Sequence, residues 1–267
     1  MIGEDTLDIA GQVALVTGAG KGVGRAIALE LAKHNAGGIA VNDFDAERAE
    51  AVAAEIRDMG VKAVAAVFDV TDRDAVAAAF AAVAQELGPV TVLVNNAGNA
   101  GPSGQFDMGK SFWDEDPGEW AKFIGTNFFG VLNCCHVALP YMVEAGRGRV
   151  VTIVSDSGRV GEPRIAVYAG AKAGAAGFMR SLAKEAARFG ITCNCIALGT
   201  IQTMMDDEQF AVYQQTDQYK AAVSRYTIRR FGQPEDVSGL AAFLCSERAA
   251  WITGQTYPVN GGYSFNQ

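Results

Sequence analysis

Three side chains in the second half of the chain stand at a spacing with a definite chemical use: Ser155, then Tyr168 13 residues on, then Lys172 four beyond the tyrosine. Positions i and i+4 of a helix share a face, so Tyr168 and Lys172 are neighbours if this segment is helical. An ammonium beside a phenol favours the phenolate. It lowers a pKa that starts near ~10 toward the range in which tyrosine trades protons at neutral pH. Upstream, Asn127 falls within an apolar helical stripe of Phe123, Ile124, Phe128 and Val131. An unpaired amide there would cost about 1–3 kcal/mol, so it needs a partner. Taken alone, Asn127 also fits a buried amide satisfied by local backbone.

A second constellation lies near the N-terminus. Directly after an apolar run comes Thr17-Gly18-Ala19-Gly20-Lys21-Gly22-Val23-Gly24, opening a helical pattern whose free N–H groups and dipole suit a pyrophosphate. Such a turn alone also fits a purely steric use of glycine. Its position after the first predicted strand and the acid that follows strengthen the nucleotide reading. Asp43 closes the second predicted strand, 19 residues after Gly24, where a dinucleotide fold presents a carboxylate to the adenosine ribose. A carboxylate there accepts from the ribose hydroxyls and repels a 2′-phosphate, which favours NAD over NADP. Lys21 is a contrary signal, either meeting such a phosphate or simply solvated.

These residues need a frame. Val13–Thr17, Ile39–Asn42, Ala63–Phe68, Thr91–Asn95, Arg149–Ser155, Ile191–Ala197 and Thr256–Val259 read as strands, separated by longer helical patterns. The strands are almost continuously apolar rather than alternating, so helices must cover both faces. The fold class predicted is α/β: a Rossmann-like doubly wound parallel sheet of about seven strands, with ligand at the strands' C-terminal edge. Thr71 with Asp74 resembles a capping box, followed by a stripe of Val76, Phe80, Val83 and Leu87. A preceding helix shows Val52, Ile56 and Met59 on one face, ending at Gly60. No repeat or linker-like tract marks a boundary, so residues 1–267 are expected to form a single dinucleotide-binding and catalytic domain.

Taken together, the motifs resemble the short-chain dehydrogenase/reductase family in order and spacing, from Gln12 to about Gly262. They are the turn from Thr17 to Gly24, Asp69-Val70, Asn95-Asn96-Ala97-Gly98, Asn127, Ser155, Tyr168 with Lys172, and Asn260-Gly261-Gly262. The resemblance implies that Tyr168 is the acid/base and that Lys172 lowers its pKa and holds the nicotinamide ribose. It implies that Ser155 steadies the substrate oxygen and Asn127 supports a water-linked proton path. The implied cofactor-binding set is Gly18, Gly20, Lys21, Gly22, Val23, Gly24, Asp43 and Phe44, with Asp69 and Val70 at the adenine. Asn95, Ala97 and Gly98 would line the ribose side with Tyr168 and Lys172, and Gly199, Ile201 and Thr203 would lie toward the nicotinamide carboxamide. The implied activity is NAD(H)-dependent interconversion of a secondary alcohol and a ketone by hydride transfer. Two rivals stand beside it: an NADPH-dependent 3-oxoacyl-carrier-protein reductase, and a non-catalytic NAD(H)-sensing protein. The resemblance further implies a homotetramer.

Two departures lie on the substrate side. The chain reads Leu198-Gly199 where the family usually has Pro-Gly, which removes a fixed φ at the entry to a substrate lid of about residues 200–232. The stretch of about residues 99–118 is longer than usual in the family. These two segments carry Phe106, Phe112, Trp113, Met204, Met205, Phe210, Tyr213 and Tyr219, a set suited to a fairly bulky apolar substrate or merely to packing the lid.

Bulk properties narrow the partners. A net charge of -8 disfavours nucleic acid and anionic lipid. No apolar run reads as a membrane span and no signal layout opens the chain, so a cytoplasmic location is expected. The five cysteines, Cys134, Cys135, Cys193, Cys195 and Cys245, sit in apolar segments at spacings that fit neither a disulfide framework nor zinc. With His34 and His136 as the only histidines, no metal site is expected.

Overall fold

Each apolar run forms a strand, and each helical stretch between runs folds back over the sheet. The computed structural model describes residues 7–99 and 110–265. The strands are β1 (Val13–Val16), β2 (Gly38–Asp43), β3 (Ala63–Val67), β4 (Val90–Asn95), β5 (Gly148–Ser155), β6 (Ile191–Leu198) and β7 (Thr256–Val259). They form one parallel sheet in the order β3-β2-β1-β4-β5-β6-β7. The order reverses between β1 and β4, so the loops leaving those two strands diverge and open a crevice at their C-terminal ends.

The helices are α1 (Gly22–Ala32), α2 (Ala46–Asp58), α3 (Arg73–Glu86), α4 (Trp120–Ile124), α5 (Gly130–Ala145), α6 (Ser157–Val160), α7 (Ala166–Ala186), α8 (Asp207–Gln214), α9 (Asp217–Val223) and α10 (Glu235–Cys245). A π turn, Gly125–Phe129, joins α4 to α5. Strand side chains divide between two cores. Leu15, Leu93, Val150 and Cys195 pack with residues of α3, α5 and α7. Val16, Val94, Val151 and Ile196 pack with residues of α1, α2 and α10 on the other face. Both faces are therefore apolar, which is why the strands read as unbroken apolar runs.

Local differences from the sequence expectations have simple causes. Helix α3 is capped by Asp72, whose Oδ1 accepts from Asp74 N and Ala75 N at 3.0 Å each, and not by Thr71. A carboxylate caps well and adds a favourable charge at the helix N-terminus. Met59 lies just beyond α2 and is exposed, while Val52 and Ile56 are buried. The helical run Pro117–Ala145 is long and apolar enough to cross a membrane by length and composition. In this fold it is a packing helix, with Cys134, Cys135, Ala138 and Met142 buried against the sheet.

Candidate active site

The loops leaving β1 and β4 are stitched together by side chains. Thr17 Oγ1 accepts from both Asn96 N and Ala97 N at 2.9 Å, and Asn96 Nδ2 donates to Thr17 O at 2.9 Å and Gly18 O at 3.1 Å. Asn42 Oδ1 accepts from Gly18 N, and its Nδ2 donates to Ala66 O and Phe68 O. The glycine turn is thus held from two neighbouring strands before it enters α1. Lys21 is the exposed N-cap residue, Gly22, Val23 and Gly24 form the first turn, and neither an acidic residue nor a capping side chain occupies that end. A helix N-terminus without an acidic first turn or a capping side chain fits a pyrophosphate. Thr203 closes on this turn: a Cβ at Gly22, whose φ is +56°, would lie 3.1 Å from Thr203 Cγ2.

Asp43, at the end of β2, is buried; it accepts from Gly20 N at 3.2 Å, from Asp45 N at 3.1 Å and from Arg48 Nη2 at 2.8 Å. Phe44 beside it is 76% exposed. Asp69 is exposed and accepts from Thr71 N, whereas Val70 is a core residue against the α5 N-terminus. Asn95 differs from expectation: its side chain is buried, donating to Thr152 Oγ1 at 3.2 Å and Cys135 Sγ at 3.4 Å. Asn96, Asn42, Thr17 and Arg48 were absent from the sequence-derived set. Thr17 and Asn96 stand in the sequence motifs without an assigned role, and Asn42 is signalled by its oddity within an apolar strand.

At the chemical end, Ser155 terminates β5 and accepts from Ser157 Oγ at 2.9 Å and Ser157 N at 3.2 Å. Tyr168 and Lys172 lie on α7 as the spacing required, with Lys172 Nζ 5.9 Å from the Tyr168 ring centroid. Lys172 is buried and donates to Ile153 O at 2.9 Å. Burial pushes its ammonium pKa down to about 8. Burial also pushes the Tyr168 phenol up, partly offset by its hydrogen bond with Ser155. This is opposite to the direction expected for Tyr168, because desolvation of the phenolate is the larger cause and the Ser155 hydrogen bond offsets only part of it.

Asn127 occupies the π turn, a widened helical turn often found at functional sites. Its Nδ2 donates to Asn99 O, Asn99 Oδ1 and Phe123 O, at 3.0 to 3.1 Å, while its buried Oδ1 has no partner among the described residues. A Cβ at Gly98 would lie 2.9 Å from that Oδ1 and 3.2 Å from Lys172 Nζ. Both groups therefore flank one point in front of Gly98.

On the substrate side, Gly199 N donates to Val259 O, and Ile201 forms a parallel bridge with Gly232. The backbone after Leu198 is held by Tyr226, whose Oη accepts from Thr200 N at 3.0 Å and donates to Thr200 Oγ1 at 2.8 Å. Tyr219 meets Phe210, Tyr213 and Phe231 edge-on and Tyr213 stacks on Phe231, so Phe210, Tyr213 and Tyr219 secure the lid internally. Phe112 stacks on Trp120 at 5.4 Å, and Trp113, Met204 and Met205 are exposed. Phe106 lies outside the described residues. Among the described residues, no group of three or more His, Cys, Asp or Glu could hold a metal ion.

Residues 18–264 match a family model described as Enoyl-(Acyl carrier protein) reductase. The structure superposes on a short-chain type dehydrogenase/reductase from Mycobacterium marinum with a TM-score of 0.85 at 29% identity, covering 98% of this chain and 99% of that one. The chain belongs to the short-chain dehydrogenase/reductase family. It is also 40% identical over 251 residues to the 3-oxoacyl-[acyl-carrier-protein] reductase FabG of Staphylococcus aureus, covering 93% of this chain and 96% of the relative. A gluconate 5-dehydrogenase from Burkholderia cenocepacia, in complex with NADP and tartrate, aligns with a TM-score of 0.85 at 30% identity over 97% of each chain. As a family member the chain is an oxidoreductase built around a nicotinamide dinucleotide.

Proposed function

We propose that the chain interconverts a secondary alcohol and a ketone with NAD(H), with Tyr168 as the proton-transfer group. The cofactor supplies the hydride acceptor or donor. Ser155 orients the substrate oxygen, and Tyr168 takes the hydroxyl proton in oxidation or returns it in reduction. Lys172, held by Ile153 O, supports the phenolate electrostatically and holds the nicotinamide ribose. Asn127 Oδ1 and Lys172 Nζ can share a water in front of Gly98, since both face that point and the oxygen otherwise lacks a partner.

Cofactor choice rests on Asp43, the observation that carries the NAD reading. Its carboxylate is fixed beside the phosphate turn by Gly20 N, where a 2′-phosphate would meet like charge. The turn from Gly18 to Gly24 holds the pyrophosphate, Phe44, Asp69 and Val70 border the adenine, and Ala97 and Gly98 border the ribose. Asn95 braces β4 against β5 from within. Gly199, Ile201 and Thr203 close the nicotinamide side. The chain acts as one catalytic domain with a lid of about residues 200–232, in the cytoplasm, as a homotetramer. Its substrate is a fairly bulky apolar alcohol bordered by exposed Trp113, Met204 and Met205.

A second reading, an NADPH-dependent 3-oxoacyl-carrier-protein reductase, draws support from the 40% identical relative, which bears that reductase's name. Absorbance at the reduced-nicotinamide band separates the two. The protein is offered NAD or NADP with cyclic, steroidal, terpenoid and hydroxyacyl alcohols, and NADH or NADPH with a 3-oxoacyl thioester. Turnover with NAD and a bulky alcohol supports the first reading. Turnover confined to NADPH and the thioester refutes it.

A further inference from the structure

Arg48, in the first turn of α2, is packed onto the carboxylate to which the proposed function assigns dinucleotide choice. Its Nη2 donates to Asp43 Oδ1 at 2.8 Å, and its guanidinium lies 5.0 Å from the centroid of the exposed Phe44 ring. Its Nε stands 3.6 Å from Asp45 Oδ2 and makes no hydrogen bond among the described residues. The Gly20 turn leans on the same group: a Cβ at Gly20 would lie 2.6 Å from Asp43 Oδ2 and 2.7 Å from Arg48 Cβ. Asp43, Arg48 and the phosphate turn are therefore one packed unit.

A carboxylate offers about four acceptor directions. Gly20 N, Asp45 N and Arg48 already use three on Asp43, so a ribose diol bringing two hydroxyls must displace one. The first two donors are backbone. Arg48 is the one on a flexible stem, and its side chain is 31% exposed. A displaced guanidinium tethered at this point is the group best suited to grip a phosphate with two parallel hydrogen bonds.

We propose that Arg48 is a second determinant of cofactor choice: with exposed Lys21 it forms a 2′-phosphate-binding site that Asp43 suppresses by occupying the guanidinium. The proposal rests on the reading of Asp43 given above and makes NAD preference a competition between Asp43 and an incoming phosphate for one arginine.

The test is calorimetric titration of the full chain with NAD+, NADP+ and adenosine 2′,5′-bisphosphate. Asp43→Ser is expected to bind NADP+ and the bisphosphate at least tenfold tighter than the native protein and NAD+ more weakly. Adding Arg48→Gln should remove at least tenfold of that gain, and retention of the gain in the double variant overturns the proposal. Arg48→Gln alone, at a partly exposed surface position, guards against misfolding of the Asp43 variants and should weaken residual NADP+ binding. Unchanged binding there also overturns the proposal. If the native protein prefers NADP+, the Asp43 reading fails by itself, and the single Arg48 variant still decides the role of Arg48.

Discussion

Replacing Lys172 with methionine should abolish turnover and yet stabilise the protein. The ammonium is buried, and its pKa falls from the ordinary 10.5 to about 8. That drop corresponds to about 3 kcal/mol, at ~1.4 kcal/mol for each pH unit. Below pH 8 both folded and unfolded chains carry the proton, so the cost of burying the charge is fully present. Between about 8 and 10.5 the unfolded chain still holds a proton that the folded one has shed, so stability rises with pH across this window. Methionine removes that cost but leaves Ile153 O without its donor, a loss of about 1–2 kcal/mol. The variant should be about 1–2 kcal/mol more stable than the native protein at pH 7. Its advantage should shrink above pH 8 and vanish or reverse near 10.5. Urea unfolding at matched protein concentration, without cofactor, reads both curves, and the remaining titrating groups cancel in the difference. A variant less stable at pH 7, or a difference that stays flat from pH 7 to 10, would refute the reasoning.

Further outcomes follow from the same geometry. Tyr168→Phe should lower kcat by about 10²- to 10⁴-fold while NADH affinity, read by fluorescence titration, changes little; retained turnover would remove the assigned proton transfer. Gly98→Ala puts a methyl 2.9 Å from Asn127 Oδ1. It should exclude a bridging water and, at about 1–3 kcal/mol for the stranded oxygen, lower turnover by about 5- to 150-fold; native turnover would dismiss the bridge. Burial raises the pKa of Cys134, Cys135, Cys193, Cys195 and Cys245. A thiol-reactive disulfide reagent at pH 8 should therefore label the native chain far more slowly than the chain in urea, where all five react. Rapid native labelling would contradict the core described here.

The sheet was legible because parallel strands covered on both faces need apolar residues at successive positions, and seven such runs stand out. The pairing of Tyr168 and Lys172 was legible because helical geometry alone makes i and i+4 neighbours. Its electrostatics was not, since the sequence shows a charge beside a phenol but not the burial that opposes it. Adjacent Asn95 and Asn96 carry the same chemistry in the sequence. Register against Thr152 and Thr17 decides which one braces the core and which one ties the loops. The pairing of Arg48 with Asp43 depends on how α2 folds back to the end of β2, which periodicity does not encode. The aromatic residues of the lid showed a preference for apolar surroundings without saying whether those were substrate or Phe231.

The two ends of the site share a short piece of backbone, which bears on how binding leads to chemistry. Residues 96–98 leave β4; Asn96 and Ala97 are hydrogen-bonded to Thr17 and Gly18 of the phosphate turn, and Gly98 fronts Asn127 and Lys172. A shift of the phosphate turn must therefore move the walls that flank the proton-handling groups. Nearly all the fixing contacts are backbone N–H or C=O groups with short side chains, which lose little rotamer freedom when ordered. The frame is thereby set before the dinucleotide arrives, and binding energy is left for orienting the nicotinamide rather than assembling the site. Among the described residues, the segments bordering the substrate, including the lid with its Thr200–Tyr226 tether, are not hydrogen-bonded to the phosphate turn and approach it through Thr203 against Gly22. Substrate choice can thus change through those segments while the hydride and proton geometry stays intact.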